Sequence, residues 1–384
     1  MDNFIFQNPV KIIFGEGMIA KIKSEISSES KILMLYGGGS IKQNGVYTQV
    51  ADALSGFEWE EFGGIEPNPH YETCMKAVEL IRAKNIDFLL AVGGGSVVDA
   101  VKFIAAAACF SGGDPWQIVS EGKRIEKAIP FGVVLTLPAT GSEMNTNSVI
   151  TRVSNQSKLA FSSSKVYPRF SVLDPTTTFT LPPRQTANGV IDTFVHVVEQ
   201  YLTYPSNALL QDMFAESIFK VLITEGPKAL ELPNDYSVRA NLMWASTWGL
   251  NGWIACGVPQ DWATHSIGHE LTAFFGIDHA QTLAIVLPGL LTVLKEQKAE
   301  KLIRMGETVF GITSKNSSEI VDKTIDAIEK FFNSMGVKTR LSDYGLGIEA
   351  VETIHRRLAE RGWSLGEKEN ITADVTKEIL MLRV

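Results

Sequence analysis

Asp87-Phe88-Leu89-Leu90-Ala91-Val92-Gly93-Gly94-Gly95-Ser96-Val97-Val98-Asp99 passes from an apolar run, through three glycines and a serine, into helical spacing that lasts to Cys109. A run apolar on both faces fits a strand buried on both sides, as in a parallel sheet. The same unit occurs upstream. Lys31 to Tyr36 reads as a strand, Gly37-Gly38-Gly39-Ser40 ends it, and Val46, Val50, Ala53 and Leu54 space out a helix. Pro130 to Thr136 is a third strand and runs into Pro138-Ala139-Thr140-Gly141-Ser142-Glu143. Val10 to Phe14 adds a short one. Between them lie a turn, Pro67-Asn68-Pro69, and a helical pattern through Cys74, Ala77, Val78 and Ile81. Strands alternating with helices predict a Rossmann-like parallel sheet covered on both faces.

Glycines at the carboxyl end of a strand let a ligand approach the backbone, and the following helix offers free N–H groups to an anion. A tight strand-to-helix connection uses glycine too, so one such loop decides little. Two of them, with Thr140-Gly141-Ser142 at a third strand end, point to a bound nucleotide, because ligands of open α/β sheets sit at those ends. Neither loop is G-x-G-x-x-G. No acid follows the strand Lys31 to Tyr36 until Asp52. NAD-binding sites commonly place an acid there for the ribose hydroxyls, where it would repel a 2′-phosphate. With Ser40 and Lys42 nearby, its absence favours NADP(H) over NAD(H).

Strand signals fade after Val172-Leu173, and from Leu181-Pro182-Pro183 onward the pattern is helical almost throughout. The expected division is an α/β dinucleotide-binding domain over 1–181 and an all-α domain over 182–384. The latter holds four of the six histidines within one stretch. His196 lies four residues after Asp192, and His269 four after His265, with His279 following. A helix sets such pairs on one face. Lone histidines in apolar helices are usually core residues with satisfied ring nitrogens, but two such pairs and a further histidine would strand several polar groups. One carboxylate with two or three imidazoles suits a divalent metal, and the donor set does not choose between Fe²⁺ and Zn²⁺. Trp244, Trp248, Trp253 and Trp262, with Leu250, Ile254 and Val258, fit either the wall of an apolar pocket or ordinary helical core.

Composition sets the outer limits. A net charge of −8 with no basic cluster argues against a nucleic-acid partner. The longest apolar run, Phe103 to Phe110, is too short to span a bilayer. The three cysteines form no CxxC and are odd in number, as expected in a reducing compartment. The start shows no basic segment before an apolar run, so the expected location is cytoplasmic.

These motifs resemble those of the iron-containing (group III) alcohol dehydrogenases, in particular the butanol dehydrogenase/NADPH-dependent aldehyde reductase branch. The residues that carry the resemblance are Gly93 to Asp99, Thr136 with Ala139 to Glu143, Gly189 to His196, and His265 to Glu270. The likeness implies an N-terminal dinucleotide-binding domain, a C-terminal helical domain and an active site in the cleft between. It implies that Asp192, His196, His265 and His279 bind the metal, and that His269 stands near the nicotinamide without being a ligand, as a proton relay or a support for one. Gly94, Gly95 and Ser96 match the pyrophosphate loop, with Asp99 in the same cofactor-binding motif; Gly37, Gly38, Gly39 and Ser40 stand, from the strand they follow, at the ribose end. Thr136, Thr140, Ser142 and Lys158 match the nicotinamide side, and Asn68 the adenosine side. At Gly39 many members carry the ribose-binding Asp. The implied substrate is a small primary alcohol or aldehyde, and the implied assembly a homodimer.

Three rivals carry different expectations. A dehydroquinate-synthase-like lyase needs several basic residues around the metal, but only Lys220, Lys228 and Arg239 lie between Asp192 and His279, none beside a ligand motif. A glycerol-type polyol dehydrogenase resembles a three-ligand site, and His196 as a fourth speaks against it. A non-catalytic nucleotide sensor has no need of an intact metal set.

Overall fold

The computed structural model describes residues 1–384. Eight strands form, and six make one parallel sheet. They are β1 (Lys11–Phe14), β2 (Lys31–Tyr36), β3 (Glu58–Phe62), β4 (Phe88–Gly94), β5 (Phe131–Leu137) and β8 (Phe170–Leu173), in the order β1-β8-β5-β4-β2-β3. The other two, β6 (Asn147–Arg152) and β7 (Ser157–Ser162), pair as an antiparallel hairpin. Alternate residues of each central strand enter opposite cores. Leu33, Leu35, Leu89 and Ala91 pack with the buried faces of α2 (Tyr71–Lys84) and α3 (Gly95–Cys109). Ile32, Met34, Leu90 and Val92 pack with Val46, Val50 and Ala53 of α1 (Val46–Ala53). Burial on both faces explains why these strands read as continuous apolar runs.

The order fixes where a ligand can bind. From β2 the chain steps outward to β3; from β4 it steps the other way, to β5. The reversal falls between β2 and β4, the position at which open parallel sheets leave a crevice at their carboxyl ends. Gly37 to Ser40 follow β2 and Gly95 opens α3 straight after β4, so both glycine loops flank that crevice.

After the sheet the chain forms α4 (Pro183–Tyr201), α5 (Leu209–Glu231), α6 (Tyr236–Gly249), α7 (Ala263–Phe275), α8 (His279–Val293), α9 (Ala299–Thr308), α10 (Ser317–Ser334), α11 (Ile348–Arg361) and α12 (Ala373–Met381). The chain divides into two compact units: Gln7–Leu181 with Pro233–Thr247, and Pro182–Leu232 with Trp248–Val384 and Met1–Phe6. Two segments therefore cross the line expected at Leu181. Most of α6 belongs to the sheet unit, where Trp244 meets Phe14 edge-on at 5.8 Å and the Thr247 hydroxyl donates to Glu143 Oε1 at 2.6 Å. Met1–Phe6 belongs to the helical unit, where Phe6 lies edge-on to Trp253 at 5.4 Å. No helix is long and apolar enough to cross a membrane.

A buried charge cluster braces the helical unit. Lys298 Nζ donates to Asp261 Oδ2 and to the Leu202 carbonyl, both at 2.6 Å, and to Glu367 Oε2 at 3.1 Å. The three charged side chains are only 1–3% exposed. Removing one member of such a cluster leaves buried charge uncompensated. Lys298→Met should lower the unfolding free energy by about 3–5 kcal/mol, read from urea titrations.

Candidate metal centre and nucleotide loops

Helix α4 begins with Pro183 at its first turn, where the missing N–H costs nothing, and Asp192 to Tyr201 is buried throughout. The helix presents Asp192, His196 and Glu199 at i, i+4 and i+7, one continuous face. Helix α7 supplies His265 and His269, and α8 begins at His279. Three imidazoles converge on one carboxylate oxygen. Asp192 Oδ1 lies 3.6 Å from His196 Nδ1, 3.8 Å from His265 Nε2 and 3.7 Å from His279 Nε2. Asp192, His265 and His279 each offer a ligand atom within 4.8 Å of the others. The His196 ring stacks on His265 at 4.5 Å. His196 Nδ1 and His265 Nε2 are buried and make no hydrogen bond. Such nitrogens are costly unless something coordinates them, so the donor set fits a divalent cation. The His269 ring stands 5.0 Å from His279 and 6.2 Å from His265.

Charge and burial compete at the two stacked rings. Burial pulls the His196 imidazole down to about 4 despite the Asp192 carboxylate. Burial pulls on His265 as well, but Glu199 and Asp192 outweigh it and hold that ring up at about 9.

One residue beside the ligands, Glu199, lies outside the sequence reading. Glu199, 2% exposed, sets Oε2 against His265 Nδ1. Its position seven residues after Asp192 was the available signal. Trp262, which opens α7, adopts φ 59°. That left-handed conformation costs a bulky residue on the order of 1–3 kcal/mol. Its indole N–H donates to Gln260 Oε1 at 2.8 Å, its carbonyl accepts from the Ser266 hydroxyl at 2.9 Å, and its ring lies 5.4 Å from His265. Trp262 therefore borders the cluster. Trp253 packs on Phe6, Trp248 on Phe214 at 5.5 Å, and Trp244 on Phe14, which is core and surface packing.

In the sheet unit the loop after β4 is tight. A Cβ on Gly93 would come within 2.5 Å of Val97, and one on Gly95 within 2.5 Å of the Thr140 hydroxyl. These glycines are required by packing, whatever they bind. The Asn68 N–H points at the Ser96 hydroxyl, 3.4 Å away, which brings those two predicted residues together. Asp99 and Ser142 are spent on each other, with the Ser142 hydroxyl donating to Asp99 Oδ1 at 2.6 Å. Buried Lys102 organises the same loop. Its ammonium donates to Ser142 Oγ at 2.7 Å, Asn145 Oδ1 at 2.8 Å and the Asn147 carbonyl at 2.7 Å, while burial draws its pKa down to about 8. Thr136 is the sixth residue of β5, and Lys158, 5% exposed, lies on β7.

Comparison with known proteins settles the family. The profile described as iron-containing alcohol dehydrogenase matches residues 9–175, and that of the family's C-terminal part matches 186–382. This chain belongs to the iron-containing alcohol dehydrogenases. It is 54% identical over 382 residues to the NADPH-dependent aldehyde reductase YqhD of Escherichia coli K12, covering 99% of both chains. It is 39% identical over 385 residues to a probable NADH-dependent butanol dehydrogenase of Bacillus subtilis, again covering 99% of both. The crystal structure of E. coli YqhD superposes with a TM-score of 0.98 at 53% identity, over 100% of this chain and 99% of that one. The protein is a metal-dependent, NAD(P)H-linked oxidoreductase of alcohols and aldehydes.

Asp192→Asn and His265→Ala each remove a donor from the cluster. Both variants should lose most bound metal, measured by elemental analysis after dialysis, and keep the wild-type helical circular dichroism.

Proposed function

We propose that the protein interconverts small aldehydes and primary alcohols with NADPH in preference to NADH, through one ion, Fe²⁺ or Zn²⁺, held by Asp192, His196, His265 and His279. The convergence of three imidazoles on Asp192 Oδ1 within 3.8 Å is the observation that carries this reading. When bound, the ion supplies Lewis acidity to the substrate oxygen and the nicotinamide supplies or accepts hydride. The protein's own residues do the positioning. The N–H groups of Gly95 and Ser96 at the start of α3 cradle the pyrophosphate, with Gly94 leaving room for it. Gly37, Gly38, Gly39 and Ser40 line the ribose end, and Asn68 the adenosine side. Thr136, Thr140 and Lys158 orient the nicotinamide. Asp99 and Ser142, already bonded to each other, serve by holding the loop. His269 moves the proton between the substrate oxygen and solvent.

Butanol-sized aldehydes are favoured over phosphorylated cyclic substrates, because Lys220, Lys228 and Arg239 are the only basic residues of the 192–279 stretch and none adjoins a ligand motif, and over polyols, because His196 offers a fourth ligand. The unpaired cysteines agree with a cytoplasmic location. The outer edge of β1, which pairs with β8 alone, is a surface on which two copies can join as a homodimer. Sedimentation velocity should then give twice the chain mass of 42.1 kDa.

Cofactor choice turns on the loop after β2, and the relatives include both NADPH- and NADH-dependent proteins. Lys42 is less available than its sequence position suggests, since its ammonium pairs with Glu61 at 2.9 Å and lies over the Tyr36 and Tyr47 rings at 5.1 and 4.8 Å. The proposed preference therefore rests on the backbone donors of Gly38 and Gly39 and on the Ser40 hydroxyl. Gly39 has φ 93°, so an acid there would be strained, whereas Gly38 lies outside the left-handed region and has open space around its Cβ direction. Like charges near 4 Å repel by roughly 4 kcal/mol at an effective dielectric of about 20. Gly38→Asp should cut kcat/KM for NADPH with butanal at least tenfold and raise it for NADH. A wild type that favours NADH, or an unchanged ratio in the variant, refutes the assignment. Turnover of glycerol in preference to butanal would favour the polyol reading.

A further inference from the structure

Glu199 satisfies three donors with two oxygens. Oε1 accepts the Thr264 N–H at 2.6 Å and the His265 N–H at 3.3 Å, while Oε2 faces His265 Nδ1. The Glu199 carbonyl accepts the Asp261 N–H at 2.9 Å, and Asp261 Oδ1 in turn accepts the Ala263 N–H at 2.8 Å at the start of α7. Glu199 thus grips both the backbone and the ring of one residue. On the far side of that ring, Nε2 is buried and unbonded, 3.8 Å from Asp192 Oδ1.

We propose that Glu199 is a positioning residue for the metal, fixing the His265 proton on Nδ1 so that Nε2, beside Asp192, is the nitrogen left for the metal. This rests on the metal reading above. An imidazole bound through one nitrogen must keep its proton on the other, and a carboxylate opposite that proton fixes the ring and raises its basicity. The geometry also says why a carboxylate stands here rather than an amide of the same shape. Glutamine has one acceptor oxygen. If that oxygen serves the Thr264 and His265 N–H groups, its NH₂ meets Nδ1–H; if it serves Nδ1–H, its NH₂ meets the two backbone donors. Either way, donor faces donor. The ring is relieved only by shifting its proton to Nε2, and that proton blocks the metal.

The test uses zinc, which is diamagnetic, and chelator competition on the full-length protein. Glu199→Gln should weaken zinc binding by about 10–100-fold, the usual scale for losing such a support. In zinc-loaded wild type labelled with ¹⁵N-histidine, one ring should show a slowly exchanging, strongly downfield Nδ1–H proton, assigned by its loss in His265→Ala. Glu199→Gln should abolish that signal while the far-ultraviolet circular dichroism stays as in wild type. A purely structural role for Glu199 would lower the melting temperature and leave both the zinc constant and the signal intact. Zinc affinity within twofold of wild type in Glu199→Gln overturns the proposal. Zinc bound at Nδ1 of His265 in the wild type overturns it as well, and that measurement needs no variant to fold. If neither Asp192→Asn nor His265→Ala changes metal content, the metal assignment itself has failed, a different result from the failure of Glu199 alone.

Discussion

One oxygen, Asp192 Oδ1, draws three imidazoles to within 3.8 Å in a region where all but His279 are almost wholly buried. Burial of that many polar groups is unfavourable unless each is oriented and matched. Much of the helical unit reads as the means of doing so. Helix α4 carries Asp192, His196 and Glu199 along one face. The Asn188 amide on the same helix donates to Asp278 Oδ2 at 2.9 Å, one residue before His279 at the head of α8. Asp261 and Lys298 fix where α7 starts. Strain at Trp262 is accepted at that same point, and strain persists only where surrounding contacts over-determine the backbone.

Three of the four strands legible in the sequence are central and buried on both faces, and the fourth, at 10–14, forms as the edge strand β1. Lys31–Tyr36 forms with the expected limits, and the runs at 87–92 and 130–136 form as β4 and β5, each shifted by a residue or two. Strand β3 escaped notice because it is an edge. Glu58, Glu60 and Glu61 are exposed, and charge on an edge strand blunts pairing with other chains while hiding the apolar alternation. The β6–β7 hairpin was missed for a related reason, its short strands mixing Ser, Asn and Arg with apolar residues. Helix α5 runs to Glu231 through Gly226-Pro227, a pair that signals a stop in isolation. A glycine there lets α5 approach Val190 of α4, since a Cβ would lie 3.0 Å from that side chain. Tertiary packing outweighs propensity at such a contact.

The site divides along the same line. Ligand candidates were legible because their i, i+4 spacing is written in the chain. Glu199, Lys102 and Lys298 were not, because long charged side chains usually mark solvated surface and only three-dimensional partners show them buried. Lys42 shows the reverse case. In sequence it is an isolated positive charge beside a glycine loop, and in space it is paired with Glu61 from the neighbouring strand.

All four candidate ligands and Glu199 lie between residues 192 and 279, within the helical unit, while every nucleotide-loop residue named above lies in the sheet unit. Ligand binding stabilises only the folded form that holds the site, by RT ln(1 + [L]/Kd). Under the assignment proposed above, metal supply adds to the stability of the helical unit and dinucleotide supply to that of the sheet unit.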